Sequence, residues 1–329
     1  MKKLINMTVF SHDMDRFEDR GALKDFYKSR GLDGLELQVL WNERLPEKIP
    51  QEDVVGVHLR MFPYWLDLWR SDEDALLQEF DKPENWEVYY EGKDKSSILK
   101  RLEKELDIAQ ALNAEYVVFH VSDCRFTETY HNVFHYSDET VIDASCEVIN
   151  TLLDGKNYTF KFLVENLWWP GLTLTRPEMT ERLLRGIHTA QKGIMLDTGH
   201  LLHTNLELRT EKEGIDYINK MLDAHGPLCD YICGMHLQQS LSGAYVQKIA
   251  QNPPDLKESF WDRFCQCSEH IFNIDAHLPF THPEVNALIQ RISPEYLTLE
   301  LVSADSAEHG QKLDWQLMAL KWHSLALFS

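Results

Sequence analysis

The sequence predicts an α/β fold, a single (β/α)8 barrel with long loops on its active face. Three observations carry that prediction. Short apolar runs alternate with amphipathic helical stretches along the whole chain of 329 residues. A histidine or carboxylate closes nearly every apolar run. No Gly/Ser- or Pro-rich linker divides the chain, so one domain over residues 1–329 is expected, a length ordinary for a barrel.

The elements follow in order. The first strand is expected over Leu4–Ser11 and its helix over Asp15–Arg30. Gly31-Leu32-Asp33-Gly34 then turns the chain into the second strand, LELQVL, over Leu35–Leu40. The third strand is Val54–Leu59. A helix over Lys95–Leu112 places Ile98, Leu99, Leu102, Leu106, Ile108 and Ala109 at helical spacing. Strand four is Tyr116–His120, with a helix over Asp138–Leu153. Strand five is Phe160–Glu165, with a helix over Arg176–Ala190 that has Pro177 at an early position. Strand six is Ile194–Asp197 and its helix Glu211–Ala224. Strand seven is Tyr231–His236, with a helix over Pro283–Ile292. Strand eight is Tyr296–Glu300, and a helix over Trp315–Leu327 closes the fold. Such alternation implies parallel strands with right-handed crossovers. An open doubly wound sheet is the alternative, but polar groups from so many strands converge only if the sheet closes.

Two connections are too long for simple loops. Met61–Asp94 is rich in aromatics, among them Phe62, Tyr64, Trp65 and Trp69, and Gln238–Asn273 is the second. Loops of that length on the active face shape specificity or act as lids. The alternative is that their aromatics form a satellite core.

Bulk composition narrows the function. A net charge of −20 disfavours nucleic acid as partner, because that binding neutralises phosphates with Lys and Arg. Local positive groups or bound cations can still invert the sign at a site. The six cysteines include Cys229/Cys233 and Cys265/Cys267, whose spacing does not match a C-x2-C zinc knuckle. They read as free thiols in a reducing, cytoplasmic setting. The opening MKKLINMTVF is too short in its apolar part for a signal peptide, and no run approaches the roughly 20 apolar residues of a membrane span.

The residues ending the apolar runs carry the chemistry. VVGVHL supplies His58, YVVFH supplies His120, and FKFLVE supplies Glu165. GIMLD supplies Asp197, with His200 three residues on. YICGMH supplies His236, NIDAHLPF supplies Asp275 and His277, and YLTLE supplies Glu300. A single histidine on a strand is more often a hydrogen-bonded core residue. As a set, these buried groups are costly without a cation to pair with. Glu165, Asp197, His236 and Glu300 make a mixed O/N site suited to Mn, Mg, Co or Zn. Two glutamates across a metal also suit proton shuttling, as in aldose–ketose isomerisation and epimerisation. All nine donors exceed the roughly four protein ligands of one ion. They point to a cluster of two or three ions, the arrangement that serves phosphoester hydrolysis. His200 and Asp275 could instead support ligands or touch substrate.

Trp168 and Trp169, directly after Glu165, are placed to contact a ligand. Tyr64 and Trp65 in the aromatic insertion, and Glu36 on strand two, are further candidate substrate contacts. His12, His131 and His135 read as surface residues, and His203 has no clear role.

FLVENLWWPG, GIMLDTGHLLHTN, GMHLQQS, NIDAHLPF and LTLELVS resemble the xylose-isomerase-like TIM barrel superfamily. It includes sugar isomerases, ketose 3-epimerases and the endonuclease IV group (AP endonuclease family 2). The resemblance runs from strand two to strand eight and is strongest at Asp197-Thr198-Gly199-His200, combined with VEN and His236. It implies that Glu165, Asp197, His236 and Glu300 match the single metal site of the epimerases, with Glu165 and Glu300 as the acid/base pair. It also implies that His58, His120, Glu165, Asp197, His200, His236, Asp275, His277 and Glu300 match the trinuclear zinc set of endonuclease IV. Two departures from endonuclease IV stand out. Val121-Ser122 replaces the usual Pro-Gly after the strand-four histidine, and Trp168-Trp169-Pro170 replaces a small Gly-rich loop. They weigh against DNA repair and leave metal binding untouched.

The expectation is therefore a divalent-metal enzyme holding one to three ions of Zn or Mn. The first reading is an isomerase or epimerase of a sugar or sugar phosphate. The alternative is an endonuclease IV-like multi-zinc phosphoester hydrolase. A third reading is a non-catalytic barrel with a structural metal, although structural sites are closed and usually cysteine-rich. Barrels of this kind often pair through their outer helices, so a homo-oligomer is also expected.

Overall fold

In the computed structural model, which describes residues 1–39 and 45–326, eight strands form a closed parallel barrel in sequence order. They are β1 (Lys2–Thr8), β2 (Gly34–Gln38), β3 (Val54–His58), β4 (Tyr116–His120), β5 (Lys161–Glu165), β6 (Lys192–Asp197), β7 (Ile232–Leu237) and β8 (Tyr296–Leu299). Closure between β1 and β8 rules out the open sheet. No helix among the described residues is long and apolar enough to cross a membrane.

The barrel interior is filled by Leu4, Val55, Tyr116, Val118, Leu163, Met195 and Tyr296. Tyr116 lies across it against Tyr296, ring centroids 4.4 Å apart. A Cβ at Gly56 would sit 2.1 Å from the Tyr116 ring, so glycine there makes the room. Sheet register then sets the upper rim. His120 pairs with Glu165, Asp197 with His236, and Gln38 with His58. Donor side chains therefore become neighbours through strand pairing alone.

The outer helices start where the chain supplies caps. Asp19 accepts from the Ala22 amide, Asp94 from Ser96, and Thr210 with Glu213 forms a capping box. The Asp19 cap explains why the first full helix is Arg20–Lys28 and does not begin at Asp15. A short helix, Ser11–Met14, precedes it, and β1 ends earlier than expected. The closing helix begins at Ser306, nine residues before the expected start. Leu40 and Leu327, the last residues of the expected second strand and closing helix, lie outside the described residues.

The two long connections are helical. The first holds helices Leu66–Arg70, Glu73–Phe80 and Pro83–Tyr89, the second Gly243–Gln251 and Phe260–Ile274. They dock on each other. Phe80 packs on Phe260 at 4.6 Å. The Arg263 guanidinium donates to Asp81 at 2.8 Å and to the Glu79 carbonyl at 2.7 Å. Together they build one lobe beside the mouth of the barrel.

Candidate metal centre

All nine predicted donor residues converge at the C-terminal end of the barrel, in three groups, and His58 and His236 make a fourth with Glu36. His58, His120 and Glu165 form the first; Glu165, Asp197, His236 and Glu300 the second; His200, Asp275 and His277 the third. Within each group the donor atoms all lie within 4.8 Å of one another. Glu165 belongs to two groups through different oxygens. Its Oε2 is 3.2 Å from His58 Nε2 and 3.1 Å from His120 Nε2. Its Oε1 is 3.0 Å from His236 Nδ1. Glu300 Oε2 lies 3.2 Å from His236 Nδ1 and 3.7 Å from His277 Nε2, so it faces both the second and third groups. In the third group, Asp275 Oδ2 is 3.1 Å from His200 Nε2 and 3.5 Å from His277 Nδ1. Two ligands on one zinc ion at bond lengths near 2.1 Å sit roughly 3.4 Å apart, so these spacings suit ions held between the donors.

Two further observations test that fit. Asp197 Oδ2, Glu300 Oε2 and His120 Nδ1 are buried and find no hydrogen-bond partner among the described residues. Orphaned buried oxygens of this kind are rare unless something else satisfies them. Five buried or nearly buried carboxylates, Glu36, Glu165, Asp197, Asp275 and Glu300, also share one small volume.

Titration behaviour follows from that crowding. Burial pushes imidazoles down and carboxylates up. It prevails at His120, pulled to about 3, and at Asp197, pushed to about 8 with Glu300 and Glu165 adding to it. Elsewhere opposite charges overcome burial. Glu165 holds His58 up at about 9. His236 is held well above the usual imidazole range by Glu36 and Glu300, and His200 by Asp197 and Asp275. The same partners keep Glu165, Asp275 and Glu300 below the usual carboxylate range. Imidazoles and carboxylates thus favour each other's charged forms within the site. Divalent cations would take over that charge pairing and displace the protons.

A second layer orients the donors. Glu36 accepts from His236 Nε2 at 3.0 Å, Tyr116 Oη at 2.5 Å and Thr298 Oγ1 at 2.9 Å. That bond leaves His236 Nδ1 facing the second group. Gln238 donates its side-chain NH2 to Asp197 Oδ1 at 3.0 Å and to Asp275 Oδ1 at 3.1 Å, tying the second group to the third. Asn166 exchanges bonds with the Asp197 backbone, holding β5 and β6 together at the site. The Asp-Thr-Gly-His segment opens a short helix, Thr198–His203, whose N-cap is Asp197 itself. Asp197 Oδ1 accepts from the His200 amide at 2.7 Å, which aims the His200 ring at the third group. His203 is buried too, 3.4 Å from Asp275 Oδ1 and 3.1 Å from Ser242 Oγ.

A cavity of about 330 Å³ opens over the donors. Trp168 and Trp169 line it as expected, and so does Glu36, although protein donors already occupy its carboxylate. Tyr64 and Trp65 do not line it. Tyr64 is fully buried among Phe80 and Phe126, its hydroxyl donating to Asp67. The Trp65 indole donates to the Ser122 carbonyl at 2.8 Å. Both are buried in the main hydrophobic core, because the insertion folds into helices whose rings pack continuously with the barrel's outer layer. The lining residues that sequence reasoning missed are Asn6, Met7, Thr8 and Gln38 from the first two strands, and Met61, Pro63, Leu167, Ile271 and Phe272. Nothing in the chain marks Ile271 and Phe272 until the helix Phe260–Ile274 is docked. His12, His131 and His135 are exposed, as expected.

The chain matches a known family. Residues 84–303 match the xylose isomerase-like TIM barrel family, and the chain belongs to it. No curated protein sequence matches the chain. Several solved structures share the fold. One described as a D-tagatose 3-epimerase-like protein superposes with a TM-score of 0.54 at 15% identity, covering 98% of this chain and 100% of that one. An IOLI protein with a bound zinc atom gives 0.54 at 12% identity, over 98% and 99%. A mannonate dehydratase from Streptococcus suis serotype 2 gives 0.54 at 12% identity, over 100% and 95%. At these identities the likeness establishes the fold.

Proposed function

We propose that this protein is a multinuclear divalent-metal hydrolase of phosphoesters. One observation carries the reading: nine donors fall into three groups, two sharing the Glu165 carboxylate and the third reached by Glu300. That is more than the roughly four protein ligands one ion needs. Bound divalent ions would supply Lewis acidity and charge to neutralise the attacking and leaving oxygens of a phosphoester. The chain's own residues do the rest. Glu165 and Glu300 hold adjacent groups at a fixed separation. Glu36 fixes the tautomer of His236, and Gln238 fixes the spacing of Asp197 from Asp275. Trp168 and Trp169 wall the site from bulk water.

A second reading rests on the group Glu165, Asp197, His236 and Glu300, which is complete by itself. With one ion there, Glu165 and Glu300 would form the proton-transfer pair of a sugar isomerase or epimerase, the activities named for several of the structural neighbours. The six unpaired cysteines suit a reducing compartment such as the cytoplasm.

Elemental analysis of protein purified without chelator separates the readings. About three ions per chain are expected, most simply Zn, with more than one lost together in Glu165→Gln because that carboxylate serves two groups. One ion per chain, with turnover of a ketose or aldose and none of any phosphoester, would overturn the hydrolase.

A further inference from the structure

Beside the donors, and with Asn6, Thr8 and Gln38, a set of apolar side chains also lines the cavity. Trp169, Leu167 and Cys124 form a cluster separate from the main core, with Met61, Trp168 and Ile271 packed on it, each only partly buried. This wall is assembled from different connections. Met61 and Pro63 come from the insertion after β3, Leu167 and Trp168 from the loop after β5, and Ile271 and Phe272 from the insertion after β7. Phe272 is 69% exposed, although it sits at the cavity. The described residues leave most of its ring uncovered.

Trp168 ties the wall to the chemistry. Its ring centroid is 5.3 Å from that of His200 and 4.7 Å from that of His203. The indole therefore stands directly beside the third donor group. Its position is built in by the backbone. Gly171 has φ +131°, and a Cβ there would lie 2.2 Å from the Val121 carbonyl, so the Trp-Trp-Pro-Gly turn can press against the end of β4. No Lys or Arg is among the described lining residues. Among the described lining residues, the positive charge offered to an anion is what the donors hold.

We infer that the substrate is a small, monomeric phosphoester whose ester group is flat, apolar and uncharged. The phosphoryl group faces the donors, and the ester group rests on Trp168 and under Phe272. The inference rests on the phosphoester reading for the first half of that ligand and on the wall alone for the second. A polynucleotide is disfavoured. It would bring several more phosphates to a chain of net charge −20 and to a wall whose described residues carry no cation.

The test is binding, kept separate from turnover. Phenylphosphonate and methylphosphonate are titrated calorimetrically into zinc-loaded protein; neither can be hydrolysed. Phenylphosphonate is expected to bind at least about tenfold more tightly. Trp168→Ala is expected to abolish that preference while zinc content stays at the wild-type value, and Trp168→Phe to restore most of it. Phe272→Ser, at an exposed position with no folding role, is expected to reduce it. Equal binding of the two phosphonates, or an unchanged preference in both Trp168→Ala and Phe272→Ser, overturns the inference. So does tighter binding of an abasic-site DNA duplex than of phenylphosphonate. Hydrolysis of 4-nitrophenyl phosphate and bis(4-nitrophenyl) phosphate is measured alongside. Failure there with the aryl preference intact would sink the hydrolase reading and leave the apolar pocket standing.

Discussion

Gly199→Ala is a one-carbon change that should break the centre from behind. A Cβ at residue 199 would lie 2.1 Å from the Cδ, Nε2 and Oε1 atoms of Gln238. Gln238 is fully buried and cannot swing into solvent. Either its amide leaves its place or the start of the helix Thr198–His203 shifts. The first outcome removes two hydrogen bonds to carboxylates, at 3.0 and 3.1 Å. Bonds to charged groups contribute about 1.5–3 kcal/mol each, so the loss is about 3–6 kcal/mol before relaxation. At roughly 2–4 °C per kcal/mol, the melting temperature should fall by about 6–24 °C. The third donor group should also lose its ion, because Asp275 is no longer held. Thermal unfolding by circular dichroism and elemental analysis read the two effects. The decisive comparison is a double-mutant cycle. Gln238→Ala removes the obstacle, so the double variant should be no less stable than Gln238→Ala alone. If the two costs add, or if Gly199→Ala melts with the wild type and keeps its metal, the Gln238 strut is not what spaces Asp197 from Asp275.

Other consequences are open to direct measurement. Glu36→Gln keeps the shape of the side chain but weakens the acceptor for His236, so metal affinity should fall about 10-fold or more while the far-ultraviolet spectrum is unchanged. An unaltered zinc dissociation constant would remove Glu36 from the positioning layer. His309 is 1% exposed, and neither ring nitrogen has a partner among the described residues. Burial, with Arg16 next in effect, pulls it down to about 4. Its folded value lies below the unfolded value near 6.5, so the stability it allows is complete above pH 6.5. That stability, about 3 kcal/mol, is lost as pH falls from 6.5 towards 4. His309→Leu should therefore flatten the fall in melting temperature between pH 7 and pH 4.5 relative to wild type, both measured in chelator; parallel curves would show that this histidine does not drive it. Stripping the ions with chelator should lower the melting temperature, and added Zn should restore it with a concentration dependence. A melting temperature indifferent to both would mean that no ion bridges the groups.

Much of the barrel is legible in the chain because two periodicities repeat without interruption. Runs such as YVVFH and FKFLVE are apolar throughout, as strands buried on both faces must be, and each ends on a polar group that only the rim can accommodate. The convergence of the nine candidate donors is readable for the same reason. A carboxylate or imidazole at the end of a buried strand needs a compensating charge, and that requirement is visible without coordinates. Their division into groups was not readable. It depends on register, which sets His120 beside Glu165 and Asp197 beside His236, and on the Asp197 cap that turns His200 towards Asp275. Tyr64 and Trp65 show the limit from the other side. Their composition suggests a ligand wall, but the insertion folds into helices and spends those rings on the main core. Phe272 carries no local signal, since its place at the mouth is decided by the docking of Phe260 on Phe80 and Arg263 on Asp81. Local pattern settles which groups must be buried and where along each strand they fall. Contacts between residues far apart in the chain settle which of those groups meet, because strand register and helix docking are properties of the packed whole.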